Sequence, residues 1–303
     1  MEIIRDFSFT SGGDIRICAA LGYFDGIHTG HQKIIEQTKA GGFASAVITF
    51  ANQPAAFIDP SRASGQIMSL EDKISMFGSM GVQYLFLYDF DETIMNMSAA
   101  DFFERFILSF GIKKAAAGFN FRFGRNREGD SALLEEMCAK SGIGSAVIQP
   151  VLYKNETVSS SLIKKKLAQG KAEDAGGMLG RAYCLKGSVI HGKKIGSSIG
   201  IPTLNIDTQE GIVIPMRGVY ESRTEIRGRM YHSLTNIGNN PTVNNKAVSV
   251  ETHIIGFGDD VYGENVRVEF IARIRDEQKF SGIEELKEQI MRDISSVKKK
   301  NKL

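Results

Sequence analysis

The sequence is short of the residues on which several protein classes depend. Its 303 residues include three cysteines, five histidines, six prolines and no tryptophan. Cys18, Cys138 and Cys184 are too few and too widely spaced for a disulfide framework or a zinc motif, and they fit a reducing compartment. No run of roughly 18 apolar residues occurs, and the acidic N-terminus lacks a long apolar core, so neither a membrane span nor a secretory signal is predicted. We therefore expect a cytoplasmic protein.

The charge balance is also nearly even. A formal net charge of +2 does not indicate a surface that binds nucleic acid. The basic C-terminal segment VKKKNKL is predicted to fray into solvent. With 42% hydrophobic and 24% charged residues, the chain can bury a sizeable core, and its length suits two domains. The sequence thus indicates no nucleic-acid or membrane partner, and it leaves the oligomeric state open.

Between about residue 15 and residue 150, short apolar runs alternate with helical patterns. The runs are IRICAAL, SAVITF, YLFLYDF, KKAAAGF and SAVIQPV. SLEDKISMF and SAADFFERFI each open with Ser-x-x-Asp, which resembles a capping box, and HQKIIEQTKAGG ends in glycines suited to a helix C-cap. Strand and helix repeated in this way predict an α/β fold with a doubly wound parallel sheet, which binds ligands at the carboxyl ends of its strands.

The pattern changes near residue 180. SSSLIKKKLAQGKAEDAGGMLG predicts one or two bridging helices, and strands and turns rich in glycine, asparagine and proline follow it. Alternation in MYHSLTNIG, SVETHIIGF and VRVEFIARI, with RGR as a hairpin turn, predicts an antiparallel sheet or small barrel. A terminal helix is predicted over residues 282–297. Two domains are therefore expected, at residues 1–180 and 181–303.

Two of the five histidines lie three residues apart in GYFDGIHTGH. A strand runs into this turn and a helix follows at once, so His28 and His31 are predicted at a helix N-terminus, where backbone amides attract phosphate. Their imidazoles can donate hydrogen bonds to a phosphoryl group, and Gly30 lets a phosphate approach the backbone. Zinc would need at least a third ligand; Asp25 is near in sequence, but no cysteine or further histidine pair supports a zinc site. Two surface histidines that cap a helix are the ordinary alternative.

A second glycine-rich stretch, GSVIHGKKIG, nearly matches a phosphate-binding P-loop. Because Lys194 occupies the hydroxyl position and the surroundings are predicted as antiparallel strand, the P-loop is rejected, and a glycine-rich phosphate-binding turn is retained. In the following IGIPTLNI, Thr203 and Asn205 would point to one face of a strand. Their oxygens suit the Mg²⁺ that ATP carries. By itself, Pro-Thr-Leu-Asn would more often be a turn.

These stretches resemble, in order, the motifs of the bacterial bifunctional riboflavin kinase/FAD synthetase family. GYFDGIHTGHQKII is similar to its His-x-Gly-His nucleotidyltransferase signature, GFNFRFGRNREGD to its flavin- and nucleotide-contacting loop, and VSSSLIKKKLAQG to its Ser-Ser-Thr/Ser-x-Ile-Arg segment. HGKKIGSSIGIPTLNI resembles the riboflavin kinase loop with its Pro-Thr-Ala-Asn end. GVYES, TNIGNNPTV, VETHIIGF, VYGENVRVEF and RIRDEQKFSGIEELKEQI follow in the family's order. The resemblance covers nearly the whole chain.

The resemblance implies a fold and two activities. An N-terminal nucleotidyltransferase domain with a parallel sheet would precede a C-terminal antiparallel β-barrel with a terminal helix. The barrel would phosphorylate riboflavin to FMN, and the N-terminal domain would adenylylate FMN to FAD with release of pyrophosphate, each with MgATP. His28 and His31 would stabilise charge in the second reaction. Glu251 would be the base that removes the proton from the riboflavin 5′-hydroxyl, a role suited to a carboxylate.

Further residues take binding roles from the same resemblance. Those implied to bind ATP or its phosphates are Gly22, Phe24, Asp25, Gly30, Ser159, Ser160, Lys164, Gly192, Lys194, Gly196 and Gly200. Those implied at the flavin are Asn120, Asp130, Tyr220 and Arg275. Thr203 and Asn205 are implied to hold the Mg²⁺ of ATP.

The chain departs from the family pattern at four positions. Gln53 stands where relatives have His before Pro, Lys164 where they have Arg, and Ile195 and Ser197 where the kinase loop is basic. Glutamine cannot become cationic, and lysine lacks the bidentate fork of arginine; Lys193 and Lys194 are candidates to supply the lost loop charge. Three alternatives stay open: an enzyme with one working half, a flavin-binding regulator without turnover, and an adenylyltransferase for a nicotinamide or pantetheine phosphate, which leaves the second domain unexplained.

Overall fold

The computed structural model describes residues 1–9, 15–62, 64–192, 196, 200–239 and 248–302. The chain packs into two compact units, Met1–Ser160 and Ser161–Leu303. The predicted boundary at residue 180 follows the change of strand pattern, whereas the packing division falls before two helices, α7 (Ser160–Ala168) and α8 (Ala172–Leu179). The division differs because α8 packs against strands of the second unit.

The first unit is built on the parallel sheet that the sequence predicts. Its six strands lie in the order β1 (Glu2–Ile4), β4 (Tyr84–Tyr88), β3 (Ala44–Phe50), β2 (Ile17–Leu21), β5 (Ile112–Gly118) and β8 (Gly144–Ile148). Two short antiparallel pairs accompany it, β6 (Arg122–Phe123) with β7 (Gly129–Asp130) and β9 (Leu152–Tyr153) with β10 (Glu156–Thr157). The edge strand β1 is additional to the prediction, since three residues are too few to show an alternating pattern.

The first unit has six described α-helices, and all but the one that starts at Pro54 begin at a residue whose side chain caps the helix. They are α1 (Thr29–Glu36), α2 (Pro54–Ile58), α3 (Leu70–Ser79), α4 (Glu92–Asn96), α5 (Ala99–Phe103) and α6 (Ser131–Lys140). The Ser69 side chain accepts a hydrogen bond from the Asp72 amide at the start of α3. Ser98 and Asp101 form a reciprocal capping box at the start of α5. Both predicted Ser-x-x-Asp starts are therefore confirmed.

Both faces of the parallel sheet are covered, and strand residues alternate between the two cores. Ala46 and Ile48 of β3 pack into a core rich in aromatic rings, such as that of Phe106. Val47, between them, packs into the opposite core with Phe77. Because the central strands β2, β3 and β4 are buried on both faces, each has a continuous apolar run in the sequence.

The second unit is a closed antiparallel barrel followed by a helix. The barrel strands are β11 (Tyr183–Ile190), β12 (Leu204–Thr208), β15 (Ser249–Ile254), β14 (Arg229–Gly238), β13 (Gly218–Ile226) and β16 (Asn265–Arg275), and β16 closes the ring on β11. The predicted RGR hairpin turn is confirmed, because Arg227 and Gly228 have the positive φ angles, 51° and 74°, that such two-residue turns require. The terminal helix α9 (Ile283–Asn301) buries Ile294 and Val297 against barrel residues. The prediction that the basic tail frays is wrong as far as Asn301, because Lys300 and Asn301 donate hydrogen bonds to buried Glu221.

Candidate active sites

The predicted histidine turn lies where the strand order of the parallel sheet reverses. Strand β2 pairs with β3 on one side and with β5 on the other, so a crevice opens at the carboxyl ends of β2 and β5. The turn follows β2 directly. Asn120 follows β5, and its Oδ1 would lie 3.2 Å from a Cβ placed on Gly118, at the end of that strand. The topology thus brings Asn120 to the same sheet edge as the histidines.

The backbone of the turn adopts an unfavourable conformation at two residues with side chains. Phe24 and Ile27 have φ angles of +58° and +39°, in the left-handed region that L-residues avoid. Both side chains are buried, with relative exposures of 1% and 0%. The buried Asp25 side chain accepts a hydrogen bond from the Ile67 amide (2.8 Å), and the Ser160 hydroxyl donates to the Asp25 carbonyl (2.8 Å). The surroundings therefore hold a strained turn, as is common at functional sites.

His28 and His31 form a stacked pair at the start of α1. Their ring centroids are 3.5 Å apart, and His28 Nδ1 accepts a hydrogen bond from the His31 amide at the helix N-cap. A Cβ on Gly30 would lie 3.1 Å from His28 Cε1, so glycine leaves room for this ring. Burial, followed by the charges of His28 and Lys73, holds the pKa of His31 well below its usual value. His31 is therefore a neutral imidazole near pH 7.

A lysine that the sequence analysis missed lies beneath the turn. Lys73 of α3 is 2% exposed, and its Nζ donates to the carbonyls of Tyr23 (3.2 Å) and Phe50 (3.1 Å). Burial lowers the pKa of Lys73 to about 8, and the charge of Asp25 acts in the opposite direction. The signal that marks Lys73 is its spacing, because it lies four residues before the buried Phe77 on the apolar face of α3.

Other predicted residues of this half lie at defined places. Asp130 caps α6 by accepting a hydrogen bond from the Leu133 amide, which orders the end of the 118–130 loop. Gln53 precedes α2, and its Nε2 lies 3.3 Å from the Ser64 hydroxyl. Ser159 is half-buried beside the start of α7, and Lys164 is on α7 itself. The contacts of these residues with flavin or phosphate stay predictions. The contact of Gly22 with ATP also stays a prediction.

The barrel carries a cavity of about 350 Å³ on its outer face, beneath α9. A row of paired residues crosses the strands here, because Asn205 pairs with Glu251 and Glu251 with Asn236. Directly paired residues of antiparallel strands share a face. The described residues that line the cavity include Gly196, Thr203, Asn236, Glu251, His253, Arg275, Phe280, Leu286, Ile290 and Asp293. The structure therefore brings Glu251, Thr203 and Arg275 together, and it pairs Asn205 with Glu251.

The glycines of the second predicted loop approach these polar groups closely. A Cβ on Gly192 would clash with the side-chain amide of Asn205, and one on Gly196 would lie 3.1 Å from Thr203 Oγ1. Gly200 has a φ of +79° and is exposed. Glycine is therefore required at positions 192 and 196 for this packing. The predicted phosphate ligand Lys194, together with Lys193, Ile195 and Ser197, lies outside the described residues.

Arg275 is oriented by an acidic residue that the sequence analysis missed. Its guanidinium donates to Asp293 Oδ2 from Nε (2.9 Å), and Gln289 donates to Asp293 Oδ1 (2.8 Å). Asp293 is 4% exposed, so the pair joins the end of β16 to α9 at the cavity wall. This contact joins residues 18 positions apart, and no local motif indicates it. Tyr220, predicted at the flavin, is instead fully buried, donates to the Met216 carbonyl, and is absent from the described cavity lining.

His253 and Asn236 are the other cavity residues that the sequence analysis missed. His253 is two residues after Glu251, so strand alternation alone puts both on the cavity face. A hydrogen bond of 2.8 Å joins His253 Nδ1 to the Pro202 carbonyl, which can only accept, so Nδ1 carries the proton. Asn236 lies at the cavity because it pairs directly with Glu251 between β14 and β15. Among the described residues, no three His, Cys, Asp or Glu side chains are grouped to hold a metal ion.

The two halves of the chain match two protein families. The FAD synthetase family model matches residues 13–162, and the riboflavin kinase family model matches residues 179–301. A bifunctional riboflavin kinase/FMN adenylyltransferase from Bacillus subtilis is 35% identical over 90% of this chain and 89% of its own length. The Haemophilus influenzae protein of the same name is 32% identical over 98% of both chains.

A solved structure resembles the whole chain. The crystal structure titled as a macrolide-efflux protein from Streptococcus pneumoniae superimposes with a TM-score of 0.89 at 28% sequence identity, covering 98% of both chains. In the part of this chain that the structure describes, every helix is too short or too polar to cross a membrane.

Proposed function

Because the chain belongs to the bifunctional riboflavin kinase/FMN adenylyltransferase family, we propose that it catalyses two successive reactions at two sites. The barrel phosphorylates riboflavin to FMN, and the parallel-sheet unit adenylylates FMN to FAD. The observation that supports this proposal is that the residues proposed for the two chemical steps lie in different units. His28 and His31 lie within Met1–Ser160, and Glu251 and Arg275 lie within Ser161–Leu303.

In the adenylylation reaction, the FMN phosphate attacks the α-phosphate of ATP and pyrophosphate leaves. His28 and His31 at the N-terminus of α1 donate hydrogen bonds to the charge that develops on the transferring group. Fixed donors at a helix N-terminus suit this task, because they are already oriented when charge develops. Neutral His31 acts through an N–H group rather than as a cation. Ser159, Ser160 and Lys164 bind the phosphates of ATP, and Asn120 contacts FMN.

In the kinase reaction, Glu251 accepts the proton of the riboflavin 5′-hydroxyl as that oxygen attacks the γ-phosphate of ATP. Arg275, held by Asp293, and Phe280 form the flavin side of the cavity. Thr203 and Asn205 offer neutral oxygen ligands, which suit the Mg²⁺ that enters with ATP. This ion neutralises charge on the phosphates. Gly192, Gly196 and Gly200 bind those phosphates.

The cellular location is proposed on the cysteine chemistry. None of the three cysteines, all of which the structure describes, forms a disulfide, and two of them, Cys18 and Cys138, are buried. Free thiols are typical of a reducing compartment, for which the cytoplasm is the proposed setting.

The test is chromatography of the flavins formed with MgATP from riboflavin and, separately, from FMN. We expect FAD from both starting flavins, with FMN as a transient species when riboflavin is supplied. FMN that accumulates without FAD would mean that Gln53 and Lys164 disable adenylylation. FAD from added FMN alone would mean that the altered loop around Ser197 disables the kinase. Flavin binding without either product would indicate the regulator.

A further inference from the structure

A buried cation beneath the histidine turn takes no part in the mechanism above. We propose that Lys73 is a positioning residue for adenylyl transfer: its ammonium joins the ends of β2 and β3 and provides a fixed positive charge for the ATP phosphates. It does so through the backbone of the turn, without contact to the reacting atoms. This inference rests on the proposed adenylylation site.

The contacts of Lys73 join two neighbouring strands at the ligand-binding edge. Tyr23 lies in the turn after β2, and Phe50 is the last residue of β3. The Lys73 ammonium donates to the carbonyls of both, and it lies 4.3 Å from the centroid of the Tyr23 ring. The Thr49 hydroxyl also donates to the Tyr23 carbonyl (3.1 Å). These bonds fix the backbone of the turn that leads to His28.

Burial of the Lys73 ammonium group opposes folding, because the charge loses its hydration. Interactions made by the charged group must offset this cost. Lys73 is 2% exposed, and an apolar side chain would fill the same core position. The titratable groups that face it are Asp25 and Tyr23 in the turn and His31 on α1. Phe50 of β3 offers only its carbonyl. One carboxylate therefore faces the cation, and anionic phosphates would add to its stabilisation.

Two orphaned polar atoms support a polar ligand at this place. Among the described residues, the Tyr23 hydroxyl and His31 Nδ1 are buried without a hydrogen-bond partner. Buried polar groups are almost always paired in folded proteins. The Tyr23 ring lies against Lys73, and the charge of Lys73 acts on His31, so both residues are neighbours of the cation. A bound substrate would supply the missing partners.

The proposal predicts proton uptake when ATP binds. Burial lowers the pKa of Lys73 to about 8 in the free protein, and an approaching polyanion favours the charged form and raises this pKa. The affinity for ATP therefore falls as the pH rises above about 8, by up to roughly tenfold per pH unit for one linked proton. Lys73 and the kinase residues lie in different units, so this linkage is expected for ATP binding in adenylylation and not for ATP binding in the kinase reaction.

The experiment measures KM for ATP in FAD formation from FMN between pH 6.5 and 9.5 for the wild type, Lys73→Met and Lys73→Arg. We expect KM of the wild type to rise above about pH 8. Lys73→Met should have a high KM that changes little with pH, while Lys73→Arg should keep a low KM to higher pH, because arginine stays charged. Lys140→Met, at an exposed lysine of α6, is the matched control and should follow the wild type.

Calorimetric titration of wild-type protein with MgATP at pH 8, in two buffers of different ionisation enthalpy, measures proton uptake directly. Because MgATP also binds at the kinase site, the quantity that tests the inference is the difference in proton uptake between the wild type and Lys73→Met. Uptake that Lys73→Met abolishes supports the inference. Absence of uptake in the wild type, or unchanged pH profiles in both Lys73 variants, would overturn it. If the wild type forms no FAD at any pH, the proposed function is refuted instead. Riboflavin kinase activity is the folding control for each Lys73 variant.

Discussion

Replacement of His31 by alanine tests the residue on which the adenylylation site depends most. We expect His31→Ala to lower FAD formation from FMN by about 10²–10³-fold, the loss typical of removing one preorganised donor to a transition state. Because its low pKa keeps His31 neutral, the wild-type rate should show no acid limb near pH 6.5 from this residue. Flavin chromatography measures the rate. FMN formation from riboflavin by the same chain is the control, and equal loss of both activities in a folded variant would contradict the assignment.

Glu251 is tested by its neutral isostere. Glu251→Gln retains the size and the cavity position but cannot accept a proton, so we expect riboflavin phosphorylation to fall by about 10²–10⁴-fold. FAD formation from added FMN should stay at the wild-type rate. Glu225→Gln is a matched control, since Glu225 pairs with Arg267 on another part of the barrel. A Glu251→Gln protein with wild-type kinase activity would remove this residue from the base role.

The residues that sequence reasoning identified are those whose chemistry depends on near neighbours along the chain. His28, Gly30 and His31 form one turn, and the resemblance to a known motif supplies Glu251. Lys73 was missed because a single lysine on a helix is usually exposed, and its burial depends on the sheet above it. Asn236 and Asp293 were missed because strand register and helix packing, rather than spacing, bring them to the cavity.

At the scale of elements, the attachment of α9 to the barrel depends on a buried carboxylate. Glu221 of β13 is 5% exposed and accepts hydrogen bonds from Lys300 Nζ (2.7 Å) and Asn301 Nδ2 (3.0 Å). Burial raises the pKa of Glu221, but the hydrogen bonds from Asn301 and Lys300 outweigh it, so the pKa lies below the usual 4.5. Since the folded-state pKa is depressed, the carboxylate stabilises the fold above about pH 4.5 and loses this effect as the pH falls through the folded value.

We therefore expect Glu221→Gln to lower the free energy of unfolding at pH 7 by roughly 1–2 kcal/mol, which shifts Tm by several degrees. Thermal denaturation followed between pH 7 and pH 3 should show the difference from wild type shrinking in acid. Glu288→Gln is the matched control, because Glu288 makes only an exposed pair with Arg292 within α9; its effect should be about 0.5 kcal/mol or less. A difference for Glu221→Gln that does not change with pH would contradict the role of the charge.

The main elements follow from local sequence signals, but their arrangement does not. Apolar runs predicted five of the six described strands of the parallel sheet, Ser-x-x-Asp predicted the starts of α3 and α5, and RGR predicted the β13–β14 turn. The edge strand β1 is three residues long and pairs with β4. Because the two strands are far apart in the sequence, no local pattern indicates their pairing. Barrel closure between β11 and β16 likewise depends on contacts made after the strands form.

At the scale of the whole molecule, the two reactions share an intermediate but no described catalytic residue. The kinase residues Glu251, Arg275 and Asp293 come from the second unit, and the histidine turn with Lys73 comes from the first. The histidines of the adenylylation step and the base of the kinase step thus lie in different units, and FMN can leave one protein molecule and react on another. Damage to one site should leave the other chemistry intact.

Mixing two inactivated chains tests this division. Alone, neither His31→Ala nor Glu251→Gln should form FAD from riboflavin, because the first stops at FMN and the second makes no FMN. An equimolar mixture should form FAD after a lag, since FMN released by His31→Ala is adenylylated by Glu251→Gln. The lag should shorten as the concentration of His31→Ala rises, because free FMN then reaches the second enzyme sooner. A mixture that accumulates FMN without FAD, although Glu251→Gln converts added FMN, would contradict release of the intermediate into solution.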